Sequence, residues 1–167
     1  MAGQGTIGLE ILEDLPDVDA VLMPYGGGGL CCGVASTIKA LKPDTRLYGC
    51  ESETAPCLTA SLKAGKPVEV EFIPSFISGI GIPIVLPEMW DLAKRLLDGS
   101  MVSSLKEICD SVRMMAERNN IISEGASAVS VAAALAGKAG TGKVVCVVSG
   151  GNIDLYKLVK IFQGKIP

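Results

Sequence analysis

An apolar run, residues 20–23, leads through Pro24 and Tyr25 into four successive glycines: Gly26, Gly27, Gly28 and Gly29. Leu30 then opens a pattern that puts Val34, Ile38 and Leu41 on one helical face. Apolar residues without alternation fit a strand covered on both faces, as in a parallel sheet. A turn without side chains lets the backbone approach a ligand closely and adopt positive φ. The first amides of the following helix have no internal partners. Strand, bare turn and helix start together make an anion site, and the helix dipole makes phosphate its natural guest. The plainer reading is that the glycines only permit a tight strand-to-helix turn.

The rest of the composition narrows the function classes. The chain has 167 residues, and residues 1–167 are expected to form a single domain. Its hydrophobic content is 49% and its mean hydropathy +0.43. No apolar run reaches the roughly 18 residues that a membrane span needs. The excess reads instead as a buried sheet plus a face meant for another domain or subunit. A net charge of −3 without a basic cluster argues against nucleic acid as a partner. No signal or transit peptide pattern is visible. Six cysteines lie in apolar stretches without a C-x-x-C, which fits reduced, packing thiols and a cytoplasmic location. The absence of histidine removes Ser-His-Asp and Cys-His nucleophile systems and histidine-based zinc sites.

Taken in order, residues 1–15 read as a helix with Ile7, Ile11 and Leu15 on one face. A complete α/β domain usually opens on a strand, so this opening suggests a missing upstream portion. Residues 18–24 read as a strand, 30–42 as a helix and 46–51 as a second strand, one βαβ unit. A short helix over 56–64, an alternating exposed strand over 68–73 and a loop over 74–81 follow. Pro87 starts another helix that Gly99 ends. Ser104 and Glu107 form a capping box for a helix carrying Leu105, Ile108, Cys109, Val112, Met115 and Ala116 on one stripe. Residues 121–126 read as a brief strand and turn, and 127–136 as an alanine-rich helix. Residues 144–148 form the most strand-like segment, ending in Ser149-Gly150-Gly151-Asn152. Asn152 or Asp154 can cap a last helix with Leu155, Leu158, Val159 and Phe162 on one side. The expected fold class is α/β, with a mostly parallel, doubly wound sheet.

Ligands of such sheets bind beyond the carboxyl ends of the strands, so the turns at 26–29 and 149–152 should share one rim. The first suits a phosphate, and the second offers the Ser149 hydroxyl. A flat ligand with a phosphate arm and a ring heteroatom would use both. The dinucleotide fingerprint G-x-G-x-x-G fails in each register, with Cys31 or Cys32 at its third glycine, although Glu51 lies where a ribose-binding acid belongs. Glu51 and Glu53 flank a strand end, where they could bind a divalent cation or sit in a solvated loop. Glu124 could face the pocket or belong to a simple turn. The lysines fall on polar faces or in loops.

Four segments occur in one order: Ala2-Gly3-Gln4-Gly5-Thr6, Gly26-Gly27-Gly28-Gly29-Leu30, Glu124-Gly125-Ala126 and Ser149-Gly150-Gly151-Asn152. In this the chain closely resembles the C-terminal half of the pyridoxal-phosphate-dependent threonine/serine dehydratases and serine racemase. These are fold-type-II enzymes, with the large-domain fold of the tryptophan synthase beta subunit. The resemblance implies that Gly26, Gly27, Gly28, Gly29 and the Leu30 amide hold the cofactor phosphate. Ser149, with Gly150 beside it, would meet the pyridine nitrogen, and Glu124 would be the family acid near the cofactor. Glu51 and the carbonyl of Ala55 match two positions of a divalent-cation site. Cys57 stands where the third ligand is an aspartate, which counts against a hard cation. In the segment 76–81, Ser78 replaces a family aspartate. The Schiff-base lysine of the family follows a Ser-Phe dipeptide, whereas Ser75-Phe76 is followed here by Ile77. The N-terminal, lysine-bearing half is thus expected to be absent and pyridoxal 5'-phosphate to bind without a covalent link.

The implied complete enzyme converts L-threonine or L-serine to a 2-oxo acid and ammonia, and this chain alone is expected to be inactive. A non-catalytic phosphate-ligand-binding or interaction module is the alternative. The expected partners are the amino acid substrate of the full enzyme and either a second copy of the chain or the missing N-terminal half.

Overall fold

The computed structural model describes residues 1–167. Seven helices and four strands follow one another in the order α1 (Ala2–Asp14), β1 (Ala20–Pro24), α2 (Gly29–Leu41), β2 (Arg46–Ser52), α3 (Cys57–Ala64), α4 (Pro87–Leu96), β3 (Gly99–Ser103), α5 (Leu105–Asn119), α6 (Gly125–Leu135), β4 (Val144–Cys146) and α7 (Leu155–Phe162). The strands form one parallel sheet in the order β3-β2-β1-β4. Leu22 lies opposite Tyr48 on one side and Cys146 on the other.

The non-alternating run of β1 follows from this placement. Val21, Met23 and Tyr25 join the apolar layer that includes Val34 and Ile38 of α2 and Met89 and Ala93 of α4. Ala20 and Leu22 join the opposite layer, with Ile108 and Val112 of α5 and Val129 and Ala133 of α6. A strand in the middle of a sheet with helices on both faces must be apolar at every position. On the outer side, α1 lies against α2. A Cβ at Gly33 would fall 2.7 Å from the Met1 carbonyl oxygen and 2.9 Å from Gln4 Cβ, so the glycine sets how closely the two helices approach.

The capping box forms as expected. Ser104 Oγ accepts from the Glu107 amide at 3.2 Å, and Glu107 Oε2 accepts from the Ser104 amide at 2.7 Å. Four expectations change. Residues 68–73 alternate but are irregular, because no strand lies beside them. The Val70 amide goes to the Pro83 carbonyl and the Ile73 amide to the Thr54 carbonyl, and Phe72 and Ile73 stay exposed. Gly99 begins β3 instead of only ending α4, since pairing with Tyr48 to Ser52 outweighs the weak strand propensity of Gly-Ser-Met-Val-Ser. Residues 121–124 form no strand, and α6 begins at Gly125. At the start of α7 the N-cap is Asp154, but its carboxylate pairs with Lys157 at 2.8 Å and makes no cap hydrogen bond.

The connection through α2 carries the chain from β1 to β2 on one side, while β4 lies on the other side of β1. The order therefore reverses between β1 and β4. The crevice beyond their carboxyl ends is where open α/β sheets bind ligands.

Candidate functional site

That crevice holds a cavity of about 190 Å³. It is lined by Pro24, the four glycines, Leu30, the Gly79-Ile80 pair, Glu124, Ala126 and Ser149. The turns after β1 and β4 do face one space.

The first turn is shaped from below. Tyr25, 2% exposed, still donates its amide to the Cys50 carbonyl at 2.8 Å and so prolongs β1. Cys31 Sγ reaches back to the Pro24 carbonyl at 3.1 Å and ties the first turn of α2 to the strand end. Among the four glycines only Gly28, the N-cap of α2, has positive φ, at +85°. A Cβ there would also meet the Tyr25 hydroxyl at 3.1 Å, an oxygen with no hydrogen-bond partner. At Gly26 a Cβ would fall 3.1 Å from the Gly79 carbonyl oxygen. Around Gly29 nothing lies within 4 Å of that position. The turn is thus pressed from behind by Tyr25 and from the side by the 76–80 segment. Its remaining space is open, and the donors there are backbone amides at a helix start. This cradle fits a phosphate ester.

The second turn is held by α6. The Gly150 carbonyl accepts from the Glu124 amide at 3.2 Å and from Ser127 Oγ at 2.6 Å. A Cβ on Gly150 would fall 2.2 Å from Glu124 Oε1, and one on Gly151 would fall 2.7 Å from the Ile122 carbonyl oxygen. Neither glycine has positive φ. They are needed for close approach to residues 122–124. Glu124 resolves from two readings to one: its carboxylate sits between Gly79 and Gly150 and lines the cavity. Ser149 lines it too and is exposed to it.

Sequence reasoning missed Gly79, Ile80 and Ala126 as lining residues. Their signal was the glycine at 79 and the small residue at 126. Position 79 requires glycine, since a Cβ there would meet Ala126 Cβ at 2.8 Å. Phe76 and Ile77 clamp this segment onto Gly125, where a Cβ would meet Phe76 Cε2 at 2.6 Å. Ser78 is exposed and does not line the cavity. No lysine or arginine lines it.

Glu51 has a different role from the metal ligand the resemblance implied. It is 1% exposed. Its Oε1 accepts from the Leu58 amide at 2.7 Å, and its Oε2 from the Thr59 amide at 2.8 Å and Thr59 Oγ1 at 2.7 Å. The carboxylate caps α3 from a neighbouring strand. Burial pushes its pKa above the usual carboxylate range, against the pull of those donors. The Ala55 carbonyl accepts from the Cys57 amide at 3.0 Å. Burial and the adjacent Glu51 push the Cys57 thiol up to about 12. Glu53 diverges to α5, where Oε1 accepts from the Leu105 amide at 2.8 Å. No group of three or more acidic or thiol side chains is placed to hold a metal ion.

Comparison with known proteins agrees with this geometry. The family profile described as pyridoxal-phosphate dependent enzyme matches residues 1–150. The chain is 41% identical over 164 residues to an L-threonine ammonia-lyase of Thermotoga maritima, covering 98% of this chain and 41% of that protein. It is 38% identical over 165 residues to the catabolic L-threonine dehydratase of Escherichia coli K12, covering 96% and 50%. The processed form of threonine deaminase isoform 2 from Solanum lycopersicum superposes with a TM-score of 0.90 at 32% identity, over 97% of this chain and 48% of that one. Maize serine racemase gives 0.86 at 32% identity, over 94% and 51%. The chain spans about half the length of the relatives it matches. With the glycine cradle, the switch-point cavity and the matched sequence in agreement, the chain belongs to the pyridoxal-phosphate-dependent enzymes, in the fold-type-II branch that contains the threonine dehydratases and serine racemase.

Proposed function

We propose that this chain is the cofactor-holding part of a threonine/serine dehydratase, which converts L-threonine or L-serine to a 2-oxo acid and ammonia. The observation that carries the reading is one cavity at the switch point, with the amides of residues 26–30 on one wall and Ser149 on another. The amides and the positive end of α2 would hold the phosphate ester. The Ser149 hydroxyl, which lines the same cavity, would meet the pyridine nitrogen when the cofactor is bound. As a neutral group it leaves that nitrogen less electron-poor than a carboxylate partner would, which favours elimination over amino transfer. Glu124, held between Gly79 and Gly150, offers a carboxylate to a donor on the bound ligand. The cofactor, when bound, supplies an electron sink for bond breaking at the substrate α-carbon.

No lysine of the chain lines the cavity, so the ester is held by phosphate and ring contacts alone, and this polypeptide by itself does not turn over substrate. The exposed apolar residues of α7, Leu155, Val159 and Phe162, provide a face for a second copy or for the complementary half of the fold.

Titration with pyridoxal 5'-phosphate, competed by inorganic phosphate and followed by borohydride reduction and mass spectrometry, tests the reading. Phosphate-competed binding with no modified lysine is expected. Ester binding that phosphate does not compete would remove the cradle from the account. Supplying the N-terminal half of a relative in trans should then yield 2-oxo acid from L-threonine. Binding without turnover in that assay would favour the second reading, a non-catalytic module that binds a phosphorylated ligand.

A further inference from the structure

The hydrogen bonds of α6 reveal a residue that neither the motifs nor the cavity lining singled out. Two serines of this helix, Ser127 and Ser130, are fully buried, as is Ser123 just before it. Ser127 Oγ lies 2.6 Å from the Gly150 carbonyl oxygen and 3.1 Å from the Glu124 carbonyl oxygen. A hydroxyl has one proton to give, and the shorter contact receives it. The Gly150 carbonyl has one other donor, the Glu124 amide at a longer 3.2 Å. One turn further on, Ser130 Oγ donates to the Val147 carbonyl at 2.9 Å. Val147 is also held by its own amide, which donates to the Leu22 carbonyl at 2.9 Å. The strand end is therefore doubly anchored, whereas the turn beyond it depends on the first turn of α6.

From this we infer that Ser127 is a positioning residue for the ring end of the cavity. By holding the Gly150 carbonyl against α6, it fixes the Gly150–Gly151 peptide, one residue beyond Ser149, and through it the turn that aims the Ser149 hydroxyl into the cavity. It touches no ligand. Its effect falls on the ring and not on the phosphate, because the phosphate cradle belongs to β1 and α2. The inference rests on the cofactor reading proposed above and names the residue that sets ring affinity within it.

The test compares Ser127→Ala and Ser130→Ala with the unaltered chain, using pyridoxine 5'-phosphate and inorganic phosphate as probes. Alanine is the better helix former, so both variants are expected to fold. Ser127→Ala should weaken the ester by about tenfold, the worth of one well-placed hydrogen bond, and leave phosphate affinity unchanged. Ser130→Ala should change neither. Without ligand, amide exchange in residues 149–152 should quicken in Ser127→Ala alone. Unchanged exchange and unchanged ester affinity in Ser127→Ala overturn the positioning role and leave the cofactor reading standing. Equal weakening of ester and phosphate also overturns it, since that is the mark of general loosening. An unaltered chain that binds the ester no better than phosphate overturns the cofactor reading and the role with it.

Discussion

Gly28 and Gly29 are adjacent, identical and expected to respond in opposite ways to the same change. At Gly28, φ is +85° and a Cβ would crowd the Tyr25 hydroxyl. The left-handed conformation alone costs an L residue about 1–2 kcal/mol. Gly28→Ala should lower the unfolding midpoint and weaken phosphate binding together. Gly29 is the first residue of α2, with right-handed backbone and open space around it. Gly29→Ala should leave stability unchanged or raise it slightly, by less than the about 1 kcal/mol of an interior helical position. Urea titrations of both variants check the contrast. Glu51 provides a test of a different kind. Its folded pKa is raised, so the folded chain binds a proton more tightly there than the unfolded chain does. Its contribution is therefore greatest below the ordinary carboxylate pKa and is lost as pH rises through the folded value. The stability of the unaltered chain relative to Glu51→Gln should fall as pH climbs through that window. A difference that rises with pH would contradict the burial argument. None of this was legible from the residue types. The sequence marked both glycines for the cradle and placed Glu51 at a strand end. Which glycine is strained, and where the carboxylate points, depends on what packs beside them.

Among the elements, α1 and α2 weigh propensity against packing. Alanine in place of an interior helical glycine is worth about 1 kcal/mol by propensity. At Gly33 the added carbon would fall 2.7 Å from the Met1 carbonyl oxygen, a backbone atom that can yield only if α1 moves. Overpacking of that kind costs about 1–3 kcal/mol, so Gly33→Ala should destabilise. Stabilisation in a denaturant series would mean that α1 shifts freely. The box at the start of α5 makes a smaller, separate contribution. Ser104→Ala should cost about 1 kcal/mol. The Glu107 carboxyl is held below the usual range, chiefly by the Ser104 amide. Its contribution is present above the ordinary carboxylate pKa and is lost on acidification, which thermal melts at falling pH would reveal. The start and the buried stripe of this helix were legible because cap and periodicity are local signals. β3 was not. Gly99-Ser100-Met101-Val102-Ser103 has only one β-branched residue and becomes a strand because β2 lies beside it. The alternation of residues 68–73 misled for the converse reason, since a strand pattern without a neighbouring strand has nowhere to place its amides.

Across the whole molecule, the apolar excess lies partly in the buried sheet and partly in exposed side chains of the last helix. β1 is buried at every position. Leu155, Tyr156, Val159 and Phe162 of α7 are between 42% and 75% exposed. Such a concentration on one short helix is expected to drive association. Sedimentation velocity over a concentration series should show a species larger than the monomer, reduced by Val159→Lys together with Phe162→Lys. A single monomeric species at every concentration would count against it. No helix of the chain is long and apolar enough to cross a membrane.

By itself, the sequence determined most of the helices, the strands β1, β2 and β4, the parallel class of the sheet and the position of the glycine turn. These follow from nearby residues: burial periodicity, glycine runs and caps. The tertiary structure alone decided that β4 pairs with β1 and not with β3, and this pairing brings Ser149, Glu124 and the glycine turn around one space. Strand order is a choice among surfaces far apart in the chain. It is settled by which arrangement covers both faces of β1 while satisfying its ladder of hydrogen bonds, and no local pattern encodes that outcome.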